Sequence, residues 1–369
     1  MEKYDVIVIG VGAVGSAVCY HLIKRGVRVL GIEKFDIPHA QGSSHGFSRQ
    51  TKISVYVGGH FEPLIYRSFE LWRLLEYESD QALLLMTGFL NMSPDENWNH
   101  LKGKISHEVL SHGQLKEKFP QFILPQNYTG CWEPNGGLLR PELAISSHVL
   151  QALWHGAEIH AREAVTNWEE TSSSVIVRTT QRTYVADQVV FTSGAWTGEI
   201  VQGLGVNLTV TRLALNWVWP KVPELFNFGK CPIWQINTAE GAYYGFPMMP
   251  DNPGFKLALH SHGDPTHPDR IDRIPNKDDE QSSRAALDKF IPEANGPLLS
   301  QKICMYTHTP DKLPIVDRHP KFSRVILGGA FSGEGFKFSS VYGEIIADLV
   351  VKGKPEMPIE FMSFNRFAN

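Results

Sequence analysis

The sequence predicts an α/β protein: a Rossmann-like dinucleotide-binding domain interrupted by a discontinuous, strand-rich second domain. Three observations predict it. The chain opens with an apolar run, a Gly10-x-Gly12-x-x-Gly15 turn and an apolar helical stripe. A second strand-like run, from Asp187 to Thr192, ends in the turn Ser193-Gly194-Ala195-Trp196. A third, Val325 to Leu327, runs into a loop with Gly328, Gly329, Gly333 and Gly335 and then a helix.

The first unit spans residues 4–33. Tyr4–Ile9 is a buried strand by its apolar run. Ala13–Lys24 is a helix, because Val14, Val18 and Leu22 recur at helical spacing. Gly26 suits the left-handed residue that follows a helix, and Val27–Glu33 is the second strand. Pro38 to Ser44 reads as an irregular loop. A helix is expected from His60 to Tyr77, on Leu64, Phe69, Leu71 and Leu75.

Residues 83–140 alternate short strands with turns and carry a short helix near Ser111–Lys118. Arg140–Trp154 is the next helix, with strands expected near Glu158, over Ser174–Thr179 and over Gln188–Thr192. Thr209 to Leu259 is strand-rich. Residues 262–284 read as loop, Arg284–Phe290 as a helix, and Ser340–Val351 as the closing helix. The expected division is 1–80, 140–205 and 300–369 for the dinucleotide domain, and 81–139 with 206–299 for the substrate domain.

The chain has 369 residues, enough for two domains with a sizeable core. Its net charge of −4 points to no nucleic acid or anionic membrane. No apolar run matches a signal core or a membrane span, so the cytoplasm is expected, and the sequons at Asn127 and Asn207 carry little weight. Cys19, Cys131, Cys231 and Cys304 are irregularly spaced, which argues against a disulfide framework or a zinc site. The run His260-Ser261-His262-Gly263-Asp264, with His267, has metal-ligand residue types but no convincing pattern, so no metal is expected.

Each glycine of the first turn has a task. Gly10 allows the sharp turn, Gly12 lets the backbone approach a pyrophosphate, and Gly15 lets helix pack on strand. Glu33, ending the second strand, is placed to take ribose hydroxyls and disfavours a 2′-phosphate. A nicotinamide dehydrogenase has no obvious use for the C-terminal glycine return. An FAD domain does, because it is assembled from N-terminal, middle and C-terminal segments. Gly194, Gly333 and Gly335 therefore join the candidate cofactor residues. Lys256 is unusual in the apolar strand Phe255–Leu259. Cys304 lies in a polar stretch, Lys302 to His308, which reads as accessible. Lys337, near the start of the last helix, suits an anion.

The chain resembles, over nearly its whole length, the sarcosine oxidase and N-methyltryptophan oxidase family of FAD-dependent amine oxidases. The resemblance rests on Gly42-Ser43-Ser-His45-Gly-Phe-Ser-Arg49, Tyr243-Tyr244-Gly-Phe-Pro247, Lys256-Leu-x-x-His260, Cys304-Met-Tyr306-Thr and Phe331-Ser-Gly-x-Gly-Phe-Lys337-Phe. It implies a covalent thioether between Cys304 and FAD, and Lys256 beside the flavin to promote reaction with O2. It implies Lys337 as one of two cations on a substrate carboxylate. It places Ser43, His45 and Arg49 near the flavin, and His260, Tyr244 and Tyr306 around the substrate.

Three positions depart from the family. Lys52 replaces an arginine, keeping the charge but losing the bidentate fork; Glu334 replaces a histidine; Phe47 replaces an aspartate. Lys52 and Glu334 should face substrate, where Glu334 either meets a cationic or hydroxyl-rich group or pairs with Lys337 or Lys52. The implied activity is oxidation of a small secondary amine or N-substituted amino acid at its C–N bond, with hydrogen peroxide as product, by a monomer. The alternatives are a fructosyl-amino-acid or cyclic imino-acid oxidase, a flavin amine dehydrogenase with another acceptor, a nicotinamide-dependent reductase and a noncatalytic FAD-binding protein.

Overall fold

The structure, a computed structural model, describes residues 2–252, 254–260 and 263–367. His262, part of the weak metal-like run, lies outside the described residues. Three sheets organise the chain, which is an α/β protein.

The first sheet has a parallel core in the order Glu158–His160, Val29–Ile32, Lys3–Ile9, Thr183–Phe191, Val325–Gly329. Val6 to Ile9 are buried on both faces, as the unbroken apolar run requires in a covered parallel sheet. The helices Ala13–Ile23, Pro141–Trp154 and Ser339–Lys352 pack together. An antiparallel meander, Val165–Glu170 and Val175–Thr179, extends the sheet from Thr183–Phe191. Val165–Glu170 was not anticipated, because its alternation of polar and half-buried residues is weak.

The glycine turn lies between strand and helix. Gly10 has φ +93° and donates its N–H to Ile32 O. A Cβ on Gly15 would meet Gly10 O at 1.9 Å, so only glycine fits there. The expected helix at 60–77 is Glu62–Ser79, with Leu64, Ser68, Leu71, Trp72 and Leu75 on its buried face.

The second sheet has nine strands, including Phe89–Pro94, Tyr128–Glu133, Thr209–Val218, Ile233–Thr238, Gly241–Phe246 and Phe255–His260. Leu298–His308 pairs along Thr209–Val218, so this sheet continues past residue 300 and the chain returns to the first sheet after His308. A small third sheet joins Arg49–Thr51, Gly137–Leu139 and Leu84–Met86.

Two expectations are corrected. The helix expected from Arg284 begins at Lys277, inside the stretch read as loop. Asn276 caps it, accepting from Asp278 N and Asp279 N at 2.9 and 3.1 Å, while Asp279 returns the bond to Asn276 N. Asp278, Asp279 and Glu280 occupy the favourable first turn, so the charge run is a helix start. The polar stretch around Cys304 is not open either: it forms a strand in which Ile303, Cys304 and Met305 are buried in succession, and Cys304 is only 2% exposed.

Candidate active site

A cavity of about 660 Å³ runs from the first glycine turn to the C-terminal glycine loop. Gly10, Gly12, Glu33, Gly194, Gly333 and Gly335 all line it, with Ser43 and Arg49 on the wall between. Glu33 is buried. Its Oε2 accepts Val11 N at 2.9 Å and its Oε1 accepts Phe35 N at 3.0 Å. Ser193 Oγ is buried with no hydrogen-bond partner among the described residues, and Ser193 lines the same cavity. The position of a Cβ on Gly12 has open space around it. A cavity of this size, with bare backbone at a helix N-terminus, an acid two strands in and an unsatisfied hydroxyl, fits a dinucleotide such as FAD.

The C-terminal loop holds three left-handed positions within four residues. Ala330, Ser332 and Gly333 have φ of +55°, +52° and +87°. Ser332 N donates to Thr307 O at 2.9 Å, tying the loop to the strand that carries Cys304 and Tyr306. A Cβ on Gly333 would press on the Tyr306 and His260 rings at 2.9–3.0 Å. The loop backbone thus lies against the second cavity.

That second cavity, about 80 Å³, shares Arg49, Tyr306, Gly333 and Phe336 with the first. Lys52, Tyr244, His260, Cys304, Glu334 and Lys337 also line it. His260 Nδ1 is 3.3 Å from Tyr306 OH. Burial pushes the His260 imidazole below its usual pKa, so it is neutral, and pushes the Tyr244 and Tyr306 phenols up, so they stay protonated.

The charged groups are paired unevenly. Lys337 Nζ lies 2.5 Å from Glu334 Oε2, and Tyr56 OH also donates to that oxygen. Lys52 Nζ donates to Gln50 Oε1 at 2.9 Å, and Gln50 is fixed by Trp234 O and Gly245 O. Burial first, then Lys337, lowers the Lys52 ammonium to about 8. Glu133 accepts Ile53 N and Ser54 N at 2.7 and 2.9 Å and so anchors the turn after Lys52.

Arg49 donates to Ser48 O and Ser43 O at 2.8 and 2.7 Å, and Cys304 Sγ sits 3.6 Å from the same Ser43 O. Lys256 is 2% exposed and lines neither cavity. Its Nζ donates to Gly46 O at 2.7 Å and to Ser48 O at 2.9 Å, and it faces the Phe246 and Trp217 rings at 4.6 and 5.2 Å. Burial and then Arg49 lower its pKa. Three oxygen acceptors and two ring faces favour the ammonium against that pull. His45 is buried behind the wall, with neither ring nitrogen partnered among the described residues; burial lowers it to about 3, so it is neutral. Phe47, in the left-handed region, is 44% exposed beneath Lys302.

The structure therefore brings together at the paired cavities every candidate residue except Gly15, His45 and Lys256: Gly15 packs against Gly10 O and Thr192, and the other two stand behind the wall. Gln50 and Tyr56 were missed. The i, i+2 spacing of Gln50 and Lys52 on a strand edge could have revealed the first. Among the described residues no group of three metal-ligating side chains converges, and no helix is long and apolar enough to cross a membrane.

Comparison with known proteins gives consistent findings. A family described as FAD dependent oxidoreductase matches residues 5–349. The chain is 34% identical to monomeric sarcosine oxidase of Bacillus sp. (strain NS-129), over 99% of this chain and 97% of the relative. It is 33% identical to N-methyl-L-tryptophan oxidase of Yersinia pestis (strain Pestoides F), over 98% of each. Among solved structures, the open form of NikD, described as an unusual amino acid oxidase, superposes with a TM-score of 0.87 at 23% identity, covering 98% of each chain. L-proline dehydrogenase from P. horikoshii gives 0.86 at 22%, covering 99% of this chain and 98% of that one. These two share the fold.

Proposed function

The chain belongs to the FAD dependent oxidoreductase family, and from that premise we propose that it oxidises a small secondary amine, an N-methyl or otherwise N-substituted amino acid, at the C–N bond. The observation that carries the reading is the junction of the two cavities at Arg49, Tyr306 and Gly333. It sets a pocket of amino-acid size against the end of a dinucleotide-sized one.

Bound FAD supplies the acceptor for two electrons from the carbon beside the amine nitrogen. The backbone at Gly10, Gly12 and Gly15 would hold its pyrophosphate, Glu33 its ribose end, and Ser43, Gly194, Gly333 and Gly335 the rest. Neutral His260 and the protonated Tyr244 and Tyr306 line the substrate pocket without a strong base, so the amine needs only to enter unprotonated. Lys52, Lys337 and Arg49 are the cations in the pocket wall, and of the two lysines Lys52 has no carboxylate at ion-pair distance among the described residues.

We further propose that Cys304 anchors the flavin covalently; it lines the smaller cavity beside the Arg49 guanidinium, which borders both cavities. Oxygen is the proposed electron acceptor, with Lys256 supplying positive charge from behind the Gly46–Ser48 backbone. The proposed setting is the cytoplasm, and the assembly a monomer, as the word monomeric in the bacterial relatives' names suggests.

A peroxide-coupled screen of secondary amines tests the reading. At least one N-substituted amino acid should yield peroxide with matched loss of amine. Amine loss without peroxide would leave the oxidation and remove oxygen as its acceptor.

A further inference from the structure

The substrate pocket holds two buried ammonium groups and one carboxylate, and they are not equivalent. Lys337 is paired: both hydrogen bonds of its Nζ go to Glu334, to Oε2 at 2.5 Å and to the carbonyl O at 3.4 Å, and Tyr56, itself buried, fixes the same carboxylate oxygen. An anion arriving at Lys337 therefore meets a carboxylate already in place, and like charges repel. Lys52 is different. Its one hydrogen-bond partner among the described residues is the neutral Gln50 amide, and no carboxylate lies within ion-pair distance of it there. An ammonium has three N–H donors, so two remain for a ligand. A buried cation without a counter-charge gains most from an entering carboxylate, whereas one already paired gains little.

We propose that Glu334, held by Tyr56, is a built-in counter-ion that withdraws Lys337 from carboxylate recognition, so that the pocket binds a single carboxylate through Lys52. The pocket then selects monocarboxylate amines. This rests on the reading of the smaller cavity as the substrate site.

Glu334 keeps a second oxygen, which stands 3.8 Å from His260 Nε2, and its side chain is 40% exposed towards the pocket. The pair therefore forms part of the wall that substrate meets. Taking Glu334 and Lys337 away together leaves the net charge of the pocket unchanged. Taking away Lys52 alone removes the ammonium that has no carboxylate at ion-pair distance among the described residues, and leaves the Arg49 guanidinium, which also lines the pocket but is held by Ser48 O and Ser43 O.

The test is calorimetric binding of propionate, a carboxylate without an amine to oxidise, to flavin-loaded protein. Lys52→Met should weaken binding by about thirtyfold or more, as loss of a desolvated charge pair does. The double variant Lys337→Met/Glu334→Gln should stay within about threefold of wild type, because charge balance is kept. Glu334→Gln alone should tighten propionate about tenfold, having freed Lys337, and Tyr56→Phe should shift in the same direction. Absence of propionate binding in the wild type, a double variant as weak as Lys52→Met, or no tightening in Glu334→Gln would each overturn the proposal. If the chain oxidises no amine at all, the peroxide screen fails whichever way propionate divides, so the two failures are told apart.

Discussion

Arg49 Nη2 stands 3.9 Å from Cys304 Sγ, and Ser43 O holds both residues, accepting from the guanidinium at 2.7 Å with the sulfur at 3.6 Å. Residues from the third sheet and the second sheet thus meet where the two cavities join.

The first expectation concerns that sulfur. Wild-type protein precipitated in acid should keep its yellow colour in the pellet, and Cys304→Ser should release it into the supernatant. Cys19, Cys131 and Cys231 cannot substitute: burial pushes each thiol up to about 12, and none lines either cavity. Free flavin in the wild-type supernatant would rule out the covalent bond while leaving bound FAD intact.

Glu33 should matter for cofactor affinity. Its carboxylate accepts two backbone N–H groups, from Val11 and Phe35, and so fixes the loop around the proposed ribose end. Glu33→Ala, in the Cys304→Ser background, should weaken FAD binding by about tenfold, within the ~1–3 kcal/mol expected when buried donors lose their acceptor. Flavin fluorescence titration of the stripped protein measures this, and unchanged affinity would remove Glu33 from the site.

For Lys256 the expectation divides the catalytic cycle. Lys256→Met should slow reaction of the reduced protein with oxygen about a thousandfold, roughly 3–5 kcal/mol of barrier, because a fixed charge is worth most where oxygen gains charge away from water. Reduction by substrate should change far less. Because Lys256 also ties Gly46 O and Ser48 O, equal slowing of both half-reactions in stopped flow would mean that it only holds that loop.

Carboxylate binding should fade at alkaline pH. Lys52 is lowered to about 8, so it carries its charge below that pH and loses it above. Propionate affinity should be flat from pH 6.5 to 7.5 and fall about tenfold per unit well above 8. The neighbours do not titrate there: His260 is shifted below its usual value, Glu334 is held low by Lys337 and Lys52, and both tyrosines are pushed up. Affinity that is flat to pH 9.5 would remove Lys52 from the role.

Much of this was legible in the sequence, for physical reasons. The parallel strand Lys3–Ile9 and its helix are continuous apolar patterns, and Gly15 is a position where a side chain cannot fit. The start of Lys277–Phe290 was hidden because its acids satisfy a helix N-terminus and look like a solvated loop. The burial of Cys304 was hidden because Lys302, Tyr306 and His308 share its face of the strand and read as polar, although Ile303, Cys304 and Met305 are buried in succession. Tyr56 and Glu334 are 278 residues apart, and nothing local in either segment announces their contact. The pairing of Glu334 with Lys337 follows a local i, i+3 spacing that the sequence displays, whereas its separation from Lys52 is set by tertiary packing.

The most direct measurement is anaerobic titration of the purified, air-oxidised protein with N-methyl amino acids, followed by admission of air. The visible flavin band should be present at the outset, bleach with one equivalent of a substrate amine, and return in air with one equivalent of peroxide. A colourless protein, or a flavin band that no secondary amine bleaches, would contradict the assignment of this chain as an FAD-dependent amine oxidase.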